Sequence, residues 1–301
     1  MQCNTKTQPL RIGLLGFGHL GQFIYQYIEN ERHKLTYDFD LIFIWNRSKD
    51  IFSTYDKPFN QNLIVSTVEE GLQRSPDLVI EVAHPNVIKT YAEKILDICD
   101  LFIGSPTAFA DASLEIALRK KTLESGHVIY IGTGAFWGAE DIDKMNERNT
   151  LRSLCITMKK HPDCYKLNEP LRSKLIDERT KHGEQLGEIV IYSGPVRELC
   201  QLAPNNVNTM AVGAIIASNL GFDRVQGCLI ADTSLYDRHI VEIELTGPEK
   251  TIDENKPVKF HLKTIRTNPA EFGVVTGTAT LLSFISSIKR AKGRTPGIHI
   301  V

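Results

Sequence analysis

The first half of the chain alternates short apolar runs with stretches of helical length. The runs are "RIGLLG", "DLIFIWN", "LIVST", "DLVIEVA", "LFIGS" and "HVIYIG", with helical stretches over residues 19 to 30, 86 to 98 and 111 to 125. Runs that stay apolar without alternating read as strands buried on both faces, and helices between them read as the crossovers of a parallel sheet. The pattern predicts a doubly wound α/β domain.

After "GAFWGAED" the rhythm changes. The segments "LRSLCITMKK", "GEIVIYSG", "RVQGCLIAD", "HIVEIELTG" and "PVKFHLKTI" are longer, alternate more, and have fewer helices between them. They predict a smaller α+β domain with a mixed or antiparallel sheet, carrying one amphipathic helix at "NVNTMAVGAIIASNLG" that ends on Gly221 as its C-cap. A last helical run, "GTATLLSFISSIKRA", sets Leu281, Leu282, Ile285 and Ile288 on one face. The expected division is a first domain over residues 1–135, completed by the C-terminal helix 276–301, and a second domain over 136–275.

Composition narrows the partners. The chain has 301 residues, of which 42% are hydrophobic, enough to bury a sizeable core; Lys and Arg number 35 against 36 Asp and Glu, with no long run of either sign. Neither nucleic acid nor an anionic membrane is an expected partner, and a small molecule is. The polar lead before "RIGLLGFG" is followed by an apolar run too short and too glycine-broken for a signal peptide or membrane span, so a cytoplasmic protein is expected. The six cysteines form no CxxC pair and read as reduced structural thiols. His161 and Cys164 in "KKHPDCY" lack a second ligand pair, so no metal is expected.

The glycines carry the first chemistry. Gly16, Gly18 and Gly21 form GxGxxG directly after the strand "RIGLL" and at the start of a helix. In that context the first glycine permits the tight turn, the second lets a pyrophosphate approach the backbone, and the third allows helix and strand to pack closely. The doubly wound sheet is therefore of Rossmann type, with NADP or NAD as the expected cofactor. The second strand ends in "WNRS", where an NAD-selective site usually carries an acidic residue. Asn46 can bond a ribose and Arg47 can pair with a 2'-phosphate, which favours NADP; the alternative is an Arg47 that is merely solvated. "EVAHP" and "GSPTA" lie at carboxyl ends of parallel strands, where ligands bind, so His84 is a candidate either for the nicotinamide end or for holding its own loop.

The second domain offers Asn205, Asn206 and Asn208 in "APNNVNTMA", which serve either as helix caps or as an anchor for a carboxylate or carboxamide. His239 follows Asp232 and Asp237 where an irregular run becomes a strand. It is either a residue at the sheet's edge or the group that takes a proton when a substrate gives up a hydride.

The ordered blocks "GLLGFGHLGQ", "FIWNRS", "DLVIEVAHP", "IGSPTAFAD", "GAFWGAEDI", "LAPNNVNTMA", "ADTSLYDRHIVEIELTGP", "RTNPAEFGVVTGTAT" and "PGIHI" resemble the L-aspartate dehydrogenase family, and within it the animal aspartate dehydrogenase domain-containing proteins, along nearly the whole chain. The resemblance implies NAD(P)-dependent oxidation of L-aspartate to iminoaspartate, which hydrolyses to oxaloacetate and ammonia, in amino-acid metabolism and NAD biosynthesis. It implies that His239 is the active-site residue and that Ala135 and Asn208 contact the cofactor. One position departs: the family carries a basic residue between the proline and the first asparagine, where this chain has Asn205, a weaker partner for a substrate carboxylate. The rival readings are a dehydrogenase of another amino or hydroxy acid, and an idle dinucleotide-binding sensor. A homodimer is the expected assembly.

Overall fold

The computed structural model describes residues 8–32, 38–182, 187–253 and 256–301. The unalternating runs become the parallel strands β1 (Leu10–Leu15), β2 (Phe39–Trp45), β3 (Leu78–Glu81), β4 (Asp100–Ile103) and β5 (Val128–Ile131). All four residues of β3 and of β5 are buried, which is why these runs do not alternate. "LIVST" does not form a full strand. Its start is drawn into the turn Gln61–Leu63 and its end, Thr67, caps the next helix by accepting a bond from the Glu70 backbone N–H at 3.1 Å, leaving a single bridge between Ile44 and Ile64.

The second sheet contains β6 (Ser153–Lys160), β7 (Glu188–Pro195), β8 (Gln226–Asp232), β9 (Arg238–Asp253) and β10 (Lys256–Pro269), in the order β10-β9-β6-β8-β7. β6 pairs parallel with β8 and antiparallel with β9, so the sheet is mixed. The chain then returns to the first sheet: β11 (Gly297–Ile300) lies parallel to β5 and completes the order β11-β5-β4-β3-β1-β2.

Four sequence expectations need correction. The helix Asn208–Ile216 is not amphipathic, because every residue from Thr209 to Ile216 is buried; it packs between β6 and the turn Pro106–Ala110, so no face meets water. It ends at Ala217, and Gly221, though left-handed at φ 62°, opens the next short helix, Gly221–Arg224. The C-terminal helix spans only Thr278–Arg290; beyond it Gly293 and Gly297 take positive φ and the chain turns into β11. On that helix Leu282 is 58% exposed, while Phe284 joins Leu281, Ile285 and Ile288 in the buried face and meets Phe102 edge to face.

Among the described residues, no helix is long and apolar enough to cross a membrane, and no three His, Cys, Asp or Glu side chains could together hold a metal ion. Cys99, Cys155, Cys164, Cys200 and Cys228 are free thiols.

Candidate active site

A cleft opens at the carboxyl ends of the parallel strands, where ligands bind in such sheets. One wall is Leu20, Gly104, Pro106 and the segment from Gly132 to Ala135; the other is Met158, Lys160, Asn206, Asn208, His239 and Asn268.

The glycine loop sits at the rim of the first wall, and its three glycines have different causes. Gly16 has φ 106°, donates its N–H to the Trp45 carbonyl at 2.8 Å, and would push a Cβ to within 2.9 Å of the backbone at Val82 and Ala83. A Cβ on Gly21 would come within 2.1 Å of the Gly16 carbonyl oxygen. Gly18 has ordinary extended backbone, and a Cβ there would meet no atom within 4 Å. The protein itself forbids side chains at Gly16 and Gly21; at Gly18 it leaves open space. The helix His19–Glu31 starts there with no side-chain cap, so its first N–H groups remain available to an anion. A dinucleotide pyrophosphate fits this loop.

Asn46 holds the loop from the side. Its Oδ1 accepts the Phe17 N–H at 2.9 Å and its Nδ2 donates to the Ser48 carbonyl at 2.7 Å, so both ends of the amide are engaged with backbone. Arg47 is exposed at the end of β2, and its charge, after burial, helps hold His84 below the usual imidazole pKa. His84 caps the helix Pro85–Leu96 by accepting the Asn86 N–H at 3.2 Å on Nδ1, and lies outside the cleft lining, beside Asn205 in a neighbouring groove.

Beneath these loops lies a fully buried carboxylate, Glu81. It accepts backbone N–H groups from Ala83 at 2.7 Å, His84 at 2.9 Å and Ser105 at 3.1 Å, with the Ser105 hydroxyl at 3.0 Å. The loops after β3 and β4 are thus tied to one side chain. Burial outweighs these bonds and pushes its pKa up to about 7.

The second wall is built by register. Met158 pairs with Val241 and Lys159 with Ile240 across β6 and β9, and the next residues, Lys160 and His239, line one cleft; Asn268 of β10 pairs with His239 on the other side. Residues opposite one another share a face, with Cβ atoms about 5 Å apart. Lys160, His239 and Asn268 therefore form one polar row facing the cleft, each no more than 5% exposed.

His239 hydrogen-bonds the Val274 backbone, and its Nε2 is buried without a partner. Burial first, and the nearby Lys160 second, lower its pKa to about 3, so the ring is neutral at physiological pH with a lone pair turned to the cleft. Neither flanking aspartate touches it: Asp232 accepts from the Ser234 N–H and hydroxyl at 2.9 and 2.7 Å, and Asp237 pairs with Arg238 at 2.7 Å. A strap crosses above, where the Lys160 ammonium donates to the Val275 carbonyl at 2.9 Å.

The three asparagines divide. Asn206 is buried and engaged, accepting the Lys166 N–H at 2.9 Å and donating to the Cys164 carbonyl at 3.3 Å. Asn208 opens its helix at the cleft with a buried Oδ1 that has no partner, as has Asn268. Asn205 is exposed at the cleft mouth. Ala135 lines the opposite wall.

Sequence reading missed Glu81, Lys160 and Asn268. For two of them a signal existed. Glu81 is the one charge in "LVIEVA", and Lys160 continues the inward parity of Leu154, Ile156 and Met158. Asn268 became legible only through its pairing with His239.

Residues 141–291 match the family described as "Aspartate dehydrogenase, C-terminal", and residues 16–132 match "Homoserine dehydrogenase, NAD binding domain". An aspartate dehydrogenase domain-containing protein of Danio rerio is 41% identical over 97% of this chain and 99% of its own length. An L-aspartate dehydrogenase of Archaeoglobus fulgidus is 27% identical over 84% of this chain and 90% of its own. The crystal structure of aspartate dehydrogenase from Thermotoga maritima superposes with a TM-score of 0.64 at 17% identity, covering 95% of this chain and 98% of that one, and so shares the fold. With a dinucleotide-binding sheet, a second mixed sheet and full-length relatives of one kind, the chain belongs to the aspartate dehydrogenase family and is a nicotinamide-dinucleotide-dependent oxidoreductase.

Proposed function

We propose that this protein oxidises L-aspartate, using NADP in preference to NAD, with His239 as proton acceptor. The observation that carries the reading is a set of three buried acceptor atoms without partners in one cleft: Asn208 Oδ1, His239 Nε2 and Asn268 Oδ1. A buried acceptor without a donor costs about 1–3 kcal/mol, so a site that leaves three of them open is shaped for a ligand with several donors. A substrate ammonium has three N–H groups; a hydroxyl has one.

In the proposed reaction Gly16, Gly18 and Gly21, with Arg47 at the ribose end, would hold the dinucleotide, which when bound would supply the acceptor for a hydride from the substrate's α-carbon. His239 takes one ammonium proton on Nε2, and the nitrogen lone pair this frees forms the C=N bond as the hydride leaves. The products are iminoaspartate, reduced dinucleotide and one proton. Water then adds to the imine and releases oxaloacetate and ammonia, with His239 placed to activate it. Asn205 and Asn206 border the substrate end and Ala135 the cofactor side, while His84, outside the cleft, holds its own loop as a helix cap.

The test is absorbance of the reduced nicotinamide with L-aspartate, D-aspartate or L-malate and each cofactor. L-aspartate with NADP should be fastest. Tight dinucleotide binding with no turnover on any of the three would favour the idle sensor, and faster turnover of L-malate would favour a hydroxy-acid dehydrogenase.

A further inference from the structure

The two lysines that end β6 have opposite environments. Lys159 points away from the cleft and meets Glu188 at 2.9 Å and Glu242 at 3.2 Å. Lys160 points into the cleft and is 2% exposed; among the described residues no carboxylate pairs with it. Its ammonium has the Val275 carbonyl at 2.9 Å and the face of the Tyr165 ring at 5.8 Å. A buried cation without an anion is costly, and a fold keeps one where a ligand supplies the missing charge.

We propose that Lys160 is the anion anchor of the cleft, binding a carboxylate of the substrate beside the nitrogen that His239 serves. The idea rests on the amino-acid oxidation proposed above. It also accounts for Asn205: the positive charge absent from that exposed position is present inside the cleft, one strand over from His239. An anion at Lys160 would cancel part of the field that depresses the His239 pKa, making His239 a stronger base once substrate is in place.

Succinate, a dicarboxylate with no amine, probes the anchor without chemistry. Titrated by calorimetry into the NADP-saturated protein, it should bind the unmodified chain and bind Lys160→Met at least about thirtyfold more weakly, the usual worth of a charge-assisted hydrogen bond. Lys160→Arg should recover most of the loss. NADP affinity should be unchanged, and the ligand-free Met variant should melt no lower than the parent, because it loses an uncompensated charge. A lysine that only ties down the strap predicts the reverse: a lower melting temperature and unaltered succinate affinity.

A second measurement needs no variant. The groups facing Lys160 are His239 from β9 and Cys164 and Tyr165 from the following turn; the imidazole is already neutral, while burial raises both the thiol and the phenol. Burial lowers Lys160 itself to about 8, so succinate affinity should fall as pH rises through that value. Succinate binding that ignores both the Met substitution and pH overturns the assignment. If L-aspartate is oxidised and Lys160→Met keeps its KM, the anchor fails and the aspartate reading stands. If no L-aspartate is oxidised but succinate binding still depends on Lys160, the anchor stands and the substrate reading fails.

Discussion

The two walls of the cleft are made in different ways. The glycine loop is local: six consecutive residues, a strand before them and a helix after, with Gly16 and Gly21 required by backbone contacts of the protein itself. The polar row is non-local: Lys160, His239 and Asn268 come from three strands and meet only because the β6, β9 and β10 registers align them. Damage to the first wall should divide between fold and cofactor, depending on which glycine is changed. Damage to the second should spare the fold and remove chemistry.

The largest effect should come from the row. His239→Ala should lower turnover on L-aspartate by roughly two to four orders of magnitude, the range for a positioned general base, with NADP affinity intact. Its melting temperature should stay within about 3 °C of the parent, since one modest hydrogen bond to the Val274 backbone is lost. If the substitution cost stability while turnover per folded molecule held, His239 would be an edge-of-sheet residue. Sequence alone would put an activity limb near the ordinary imidazole pKa of about 6.5. With His239 lowered to about 3 in the ligand-free protein, kcat/KM should show no His239 limb between pH 6 and 7.

On the other wall, Gly18→Val should weaken dinucleotide binding by about a hundredfold or more, the worth of several backbone contacts to phosphate, while the melting temperature holds because a Cβ there meets nothing. Gly21→Ala, a smaller change, should instead destabilise the fold, since its Cβ would come within 2.1 Å of the Gly16 oxygen. If the two variants behaved alike in both assays, the separation of ligand-required from fold-required glycines would be wrong.

Arg47→Asp should shift preference from NADP towards NAD by about tenfold, judged by titrating both cofactors, since one exposed charge pair with a phosphate is exchanged for a repulsion. A parent protein that strongly prefers NAD would remove the basis for this.

Beneath both walls, Glu81 should show itself in stability rather than in activity. A carboxyl raised to about 7 in the fold contributes stability that is fully present below its ordinary pKa of 4.5 and is lost as pH rises towards 7. The stability difference between the parent and Glu81→Gln should therefore shrink by about 2 kcal/mol between pH 4.5 and 7. A difference that does not change with pH would mean that the four donors around the carboxylate, rather than its burial, set its ionisation.

Sequence by itself determined the parallel strands, because β3 and β5 are buried on both faces and cannot carry polar alternation, and it determined the glycine loop, because close backbone approach allows few residues but glycine. It also marked His239 as a candidate, without deciding between sheet edge and chemistry. It could not determine that "LIVST" would yield its ends to a turn and a helix cap, that Leu282 would face water while Phe284 packed inward, or that the helix Asn208–Ile216 would be covered on every side. Each depends on what lies across from the segment. The same holds for the candidate site. Inward parity along β6 was readable, but that Lys160 comes beside His239, with Asn268 on the far side, was decided by strand register, which joins residues distant in the chain through backbone hydrogen bonds that leave no local mark on the sequence.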